Sequence, residues 1–433
     1  VNVVEENEAK AEKTLLSLHW VGVVCGLAAA AWLGTAEAPV KLAAADVPPF
    51  IVTLGMVLGV FLARWTLPVM LKGAGFVLND LRTHAHLMVW ALLAGALWVV
   101  ANTLTVFAIK NVGLSIAFPL WNMNSLVGLL WGWLLFGELR GAGARCWSRV
   151  AGGALALVAG ATVLAWATTN HAAGAAGHPG LGVMAALGAG ALWGTQYICY
   201  RKAYLSGINP LSFVTVIAFS ELVSTLVLGA AFAGGLGSLG HQVVAAKPYM
   251  FWLFLGGICW VFGDLFQQYA AKYVGIGRGM PLANTNQLWG LAWGALVFGE
   301  LTALDARARL LVLAGSFVMI VGVVLIGTAS APASEQDSWQ RAVDRECDRY
   351  GLDRARVASV VHGDNAEARQ GSRRRWWEAL IPLSALAVLG WLASFAERPQ
   401  AAIHLGWTVV LLVATLGFLL VSGSLLWKRT RFS

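Results

Sequence analysis

The sequence predicts an all-α polytopic membrane protein, two inverted five-helix repeats plus two extra C-terminal transmembrane helices, and three observations predict it. Hydrophobic residues make up 58% of the 433 and charged residues 12%, with a mean hydropathy of +0.69. That much apolar surface has no water-soluble interior to enter. Apolar stretches of about 20 residues, the length that crosses a bilayer, recur along the chain. Finally, Pro119–Leu139, PLWNMNSLVGLLWGWLLFGEL, returns as Pro281–Leu301, PLANTNQLWGLAWGALVFGEL, with fourteen of twenty-one positions identical and no gap.

Residues 1–15 are acidic and polar, unlike a secretory signal, and read as a cytoplasmic segment before a retained first span. The first repeat, 16–168, holds spans near Leu16–Leu33, Pro49–Leu67, Leu87–Ile109, Val112–Leu135 and Val150–Ala167. An uncharged loop, 169–180, leads to the second repeat, 181–327. Its spans lie near Leu181–Tyr200, Leu211–Phe232, Met250–Ala271, Val274–Phe298 and Leu310–Ile326. Correspondence extends beyond the motif: Trp98, Lys110, Val112 and Gly113 match Trp260, Lys272, Val274 and Gly275, and Gly34-Thr35 matches Gly194-Thr195. A repeat with an odd number of spans enters the membrane from opposite sides, which implies a pseudo-two-fold axis in the membrane plane.

A polar linker, 328–375, follows, in which nine Arg and eight acidic residues nearly cancel. Trp339, Val343, Cys347 and Tyr350 recur there at helical spacing. The extension 376–433 supplies two more spans, near Ala379–Phe395 and Leu405–Trp427, and closes on Lys428, Arg429 and Arg431. Lys and Arg concentrate on the cytoplasmic side of membrane proteins. Counting Arg64, Lys72, Arg82, Arg140, Arg145, Arg149, Arg201, Lys202, Lys272 and Arg278 as inner-loop charges, against Lys41, Lys110, Lys247, Arg307 and Arg309 outside, puts both termini in the cytoplasm of a cell whose inner membrane holds the chain.

Several function classes drop out. The net charge of +8 is not gathered into basic runs interleaved with aromatics on a soluble domain, so nucleic acid is not an expected partner. Five scattered cysteines indicate neither a disulfide framework nor a zinc site, and His84-x-His86 lacks further ligands, so no metal is expected. With no G-x-x-x-x-G-K-[ST] loop, G-x-S-x-G elbow or H-E-x-x-H helix, neither an enzyme nor a cofactor is expected, and the chain alone does not pump with ATP.

What remains is polar residues at membrane depth. Pro119 and Pro281 are expected to break their helices, since proline frees a carbonyl that only protein or a water-filled cavity can satisfy. Asn122 and Asn124, like Asn284 and Asn286, lie two residues apart and cannot share one face of a regular helix. Four amides near a repeat interface offer donors and acceptors without charge, which suits the hydroxyls of a neutral polyol. Intramembrane asparagines also glue helices together. On the eighth span Asp264 precedes Gln267 and Gln268 by three and four residues, so both can approach the carboxylate, while its repeat mate is Asn102. An ionisable residue inside a span is costly and is by default a functional hypothesis, which makes Asp264, then Glu221, the proton-coupling candidates. Trp98 and Trp260 could stack on a sugar ring or belong to packing. Gln196 is a further pore candidate with Glu37 its weaker counterpart, and Glu138 and Glu300 read as boundary anchors.

The run Gly113–Gly141 and the segment Gly275–Leu301 resemble the fourth and ninth spans of the glucose/ribose porter family, in the drug/metabolite transporter superfamily. The resemblance covers about residues 16–328. It implies a ten-helix drug/metabolite transporter-like core with substrate held between the halves, near Asn122, Asn124, Asn284 and Asn286. It also implies uptake of a monosaccharide, a hexose or pentose, by proton symport. The expected partners are thus a sugar, protons and the lipid bilayer, with a homodimer left open. A drug or metabolite exporter of the same superfamily is the alternative, and a non-transporting receptor or scaffold the alternative of another class. The linker and terminal helix pair exceed the usual ten-span core.

Overall fold

The computed structural model describes residues 2–44, 47–112, 120–121, 123–169, 179–299, 301, 305–329, 333–361, 374–397 and 403–432. Regular structure among them is helical throughout. In order the helices are α1 (Asn2–Ala44), α2 (Pro49–Lys72), α3 (Ala74–Thr83), α4 (Met88–Val112), α5 (Asn124–Phe136), α6 (Ala144–Thr169), α7 (Pro179–Leu205), α8 (Pro210–Ala233) and α9 (Leu236–Ala245). They continue as α10 (Met250–Val274), α11 (Ile276–Ala283), α12 (Asn286–Ala292), α13 (Ala306–Gly327), α14 (Ala333–Tyr350), α15 (Arg354–Val361), α16 (Leu380–Ser394) and α17 (Leu405–Thr430).

Nine helices among the described residues are long and apolar enough to cross a bilayer, so the chain is a multi-pass membrane protein. The other three predicted spans fall in α5, in α7, and in the broken segment α11–α12 with the π turn Trp293–Val297 behind it. α5 is an apolar helix of 13 residues, and α11 and α12 run for eight and seven, so the first and third of these are shorter than a full span. The first span is longer than predicted. Its apolar stretch is Ser17–Ala43, which puts Glu37 and Lys41 inside the helix rather than beyond Leu33.

The two halves pack by exchanged contacts. α1 lies on α10 as α4 lies on α7; α2 lies on α10 as α4 lies on α8; α1 lies on α12 as α7 lies on α5. The contacts α2 with α8, α6 with α13 and α5 with α11 are their own mates. Side chains repeat the pattern: Trp131 Nε1 donates to Thr195 Oγ1 at 3.1 Å, and Trp293 Nε1 donates to Thr35 Oγ1 at 3.0 Å. The short helices α3 and α9 start alike, after Gly73 at φ 89° and Gly235 at φ 123°. That left-handed region is open to a residue without a Cβ.

Four of the ten charges counted as inner loops lie inside the bundle: Arg64, Arg201, Lys272 and Arg278 are all buried. Loop charge therefore separates the two sides less than the sequence suggested. His84 Nδ1 faces Asp80 Oδ1 at 3.0 Å. Burial works against its charged form, yet the carboxylate outweighs burial and raises its pKa, so this pairing stabilises at low pH and is lost as pH rises through the folded-state value.

The linker is built onto the core. α14 buries Ala342, Val343 and Cys347 in the cluster that holds Tyr197, Tyr200 and Tyr204 of α7, and Glu346 Oε1 meets Lys202 Nζ at 2.8 Å. α17 covers α1, where Thr35 and Thr415 hydroxyls bond at 3.0 Å, and the Phe432 carbonyl accepts from Asn209 Nδ2 at 2.7 Å.

The crossing of α2 and α10 uses glycine on both sides. A Cβ on Gly257 would lie 2.0 Å from the Met56 carbonyl oxygen, and one on Gly59 2.2 Å from that of Phe254. Gly257→Ala is expected to destabilise by about 1–3 kcal/mol, the usual cost of overpacking. In detergent this reads as a lower melting temperature, while Gly423→Ala, where a Cβ meets nothing within 4 Å, leaves it unchanged.

Candidate functional site

The duplicated motifs meet through their amides. α11 runs through Pro281 and ends at Ala283, and the chain breaks at Asn284 and Thr285 before resuming as α12. The break therefore comes three residues after Pro281, at the first of the two asparagines. Asn284 Nδ2 donates to Asn124 Oδ1 and to Ser125 Oγ, both at 2.6 Å. Asn286 is half-buried and makes no side-chain hydrogen bond among the described residues. Of the two amides, Asn284 joins the halves, while Asn286 makes no such contact among the described residues. Pro119, Asn122 and Glu300 lie outside the described residues.

A second cluster is built on charge. Arg64 of α2 is fully buried, donating from Nη1 to Glu221 Oε2 of α8 at 2.7 Å and from Nη2 to Asp264 Oδ2 of α10 at 2.6 Å. Gln268 Nε2 donates to the same Asp264 oxygen at 2.6 Å, and its own carbonyl accepts from the Tyr204 hydroxyl. Gln267 is buried without reaching the carboxylate, so only one of the two glutamines behaves as the spacing suggested. Glu221 Oε1 is buried and has no hydrogen-bond partner among the described residues. Assigning Arg64 to a loop was wrong: it stands inside the apolar helix Pro49–Lys72. The readable signal was a lone arginine flanked by apolar turns, which needs an internal anion. Also readable was Tyr197, Tyr200 and Tyr204 at i, i+3 and i+7, one face of α7 turned toward this cluster.

Aromatic residues join the two clusters. Trp98 is buried, with the rings of Trp193 and Trp260 set edge-on at 5.7 and 5.5 Å, and Trp260 lies 5.2 Å from the Arg64 guanidinium. Its neighbours fill the space where a sugar would stack on Trp98, so packing is the role this arrangement gives it. Trp260 is half-buried. On α7, Trp193 belongs to the aromatic group, while a Cβ on the adjacent Gly194 would lie 3.0 Å from the Asn124 carbonyl oxygen. Gln196 donates to the Ala94 carbonyl at 3.2 Å and to the Tyr200 hydroxyl at 2.8 Å. Residues 193–196 thus link amides to charges. Asn102 donates to Thr53 Oγ1 at 3.0 Å, away from the charged group, and Glu37 is exposed on α1. Glu138 is buried at a helix end, bonded to backbone N–H groups of the other half.

Beside the triad, Arg64, Pro68, Leu211, Val261 and Asp264 line a crevice of about 10 Å³. That is room for about one water. With one cation and two carboxylates in ionised form the cluster carries a net negative charge, and a single proton balances it. Arg64→Met would leave two buried carboxylates facing each other without a counter-ion. We expect it to cost about 3–5 kcal/mol, measured as thermal aggregation in detergent, with Arg64→Met/Glu221→Gln recovering part of the loss.

Residues 218–345 match the family described as Sugar transport protein. The chain is 31% identical over 133 residues to a "Putative sugar uptake protein" of Lactobacillus johnsonii (strain CNCM I-12250 / La1 / NCC 533). That match covers 30% of this chain and 45% of the relative's length. A solved structure described as "Crystal structure of protein" superposes with TM-score 0.41 and 17% identity, covering 69% of this chain and 98% of its own. The matched segment contains Asp264 and the whole second motif, and the first motif repeats fourteen of its residues. On the family match and this relative, the chain is similar to sugar-transport proteins.

Proposed function

We propose that the chain is a secondary carrier that takes up a neutral, hydroxyl-rich metabolite, a hexose or pentose, by alternating access coupled to protons. The observation that carries this reading is the contact of Asn284 with Asn124 and Ser125, which places duplicated amides where the halves meet. Amides and a hydroxyl match sugar hydroxyls donor for acceptor without charge. Asn284 gives both of its N–H donors to the other half, and a bound sugar replaces those bonds with its own. The exchanged contacts between the repeats support two arrangements of similar energy, open to opposite sides. Coupling is assigned to Asp264 with Glu221 beside it, because two acids on one guanidinium accept a proton without leaving an isolated charge. Both termini are placed in the cytoplasm.

Counterflow of labelled sugars in proteoliposomes tests the assignment. Exchange of a monosaccharide is expected, and Asn284→Ala should slow it about tenfold or more, the effect of losing one to two well-placed hydrogen bonds. No exchange with any sugar, together with efflux of amphipathic drugs, would instead support the exporter reading. Asp264→Asn is expected to abolish uphill accumulation driven by a pH gradient while leaving exchange in place. Retained proton-driven accumulation in that variant counts against Asp264.

A further inference from the structure

We infer that Glu138 is a releasable latch between the two halves: its carboxylate holds one end of the bundle shut by capping the broken span of the other half. The inference rests on the alternating-access reading above. Glu138 closes the first motif and is 4% exposed. Its Oε1 accepts from the Ile276 N–H at 3.0 Å and its Oε2 from the Gly277 N–H at 2.9 Å. These are the first two N–H groups of α11, which no carbonyl within the helix can satisfy and where the helix dipole favours an anion. Arg201 Nε stands 3.5 Å from Oε1, and Arg201 Nη1 donates to the Ala271 and Lys272 carbonyls in the last turn of α10.

The seat is cut by glycines from both halves. A Cβ on Gly132 would lie 2.5 Å from Oε2, and one on Gly275 2.6 Å from the Glu138 carboxyl carbon. Gly275 also holds φ at +81°, the turn that aims the N–H groups of α11 at the carboxylate.

A latch differs from an anchor in where its partners sit and in what replaces them. Ile276, Gly277 and Arg201 all belong to the second half, whereas Glu138 belongs to the first. When that end opens, water solvates the carboxylate, both amides and the guanidinium, so none is left buried and unpaired. The Arg64 triad is the opposite case, its charges buried against one another. Phe136 and Ile276, which flank the latch, pack in the same cluster as Tyr197, Cys199 and Tyr200, so the seam behind Glu138 leads to the polar face of α7.

Cysteine labelling of the full chain in membrane vesicles, without sugar, tests the latch. Cys199, 1% exposed, is kept as the sole cysteine in one background, and Cys25, 0% exposed in a separate cluster with Leu211 and Tyr269, in a second. Glu138→Gln is expected to speed N-ethylmaleimide labelling of Cys199 about tenfold and to leave Cys25 unchanged. Glu138→Asp, one methylene too short to reach both N–H groups, gives the same direction if the glutamine variant does not fold. Unchanged Cys199 labelling in both variants overturns the latch. Equal acceleration at Cys25 also overturns it, because Glu138 would then only hold the fold together. The readout needs no solute: a parent protein that exchanges no sugar would count against the proposed function and leave the labelling result standing.

Discussion

The bundle depends on a positive charge held in a dry place. Arg64 is fully buried in the middle of an apolar helix, and an unpaired guanidinium there would be prohibitive. Its two carboxylate partners come from α8 and α10 of the second half, whereas Arg64 comes from α2 of the first. The halves therefore cannot part at this level without stranding charge on both sides. For any rocking of one half on the other, this level is the natural pivot.

Around the pivot, the departures from an apolar span share one physical origin. A proline and a helix break leave carbonyls and N–H groups without partners, and in a bilayer those must be answered by protein or enclosed water. Asn284 ends α11, and its amide goes straight to Asn124 and Ser125 of the first half. At the other end of α11 the free N–H groups go to Glu138, again from the first half. Breaking the span thus does two things together: it creates polar valences at membrane depth, and it makes the opposite half supply their partners. A straight apolar helix would need neither and would offer a hydroxylated solute nothing.

Much of this was legible in the sequence, and the remainder failed for identifiable reasons. The duplicated motif and the Gly34/Gly194 match gave the pairing of halves, because identical residues at a fixed offset occupy equivalent contacts, as Trp131 with Thr195 and Trp293 with Thr35 do. Asp264 with Gln268 followed from i, i+4 spacing on one helix. Arg64 was misplaced because its partners stand 157 and 200 residues away, and hydropathy assigns a charge near a span's end to the loop. Trp98 was given a choice of roles because spacing shows that tryptophans line up and not that Trp193 and Trp260 already fill the space beside one. Helix α3 and its mate α9 lie in stretches read as connections between spans, being too short and too polar to stand out as spans, and each starts after a glycine of positive φ.

The polar linker packs onto the same contacts. Arg201 and Lys202 are consecutive on α7, so their side chains leave the helix about 100° apart. One turns to Glu138 and the last turn of α10; the other turns to Glu346 of α14. The end of α7 is therefore gripped from two directions, by the closing residue of the first motif and by a helix of the polar linker. Trp339, from that same linker helix, lies with its ring 5.8 Å from the Arg201 guanidinium and ties the two grips together. A displacement of α7 that freed Glu138 would also have to move α14 or break the Lys202–Glu346 pair. The linker thus touches the contact between the halves through a residue of its own, Glu346, although its charges nearly cancel as a whole.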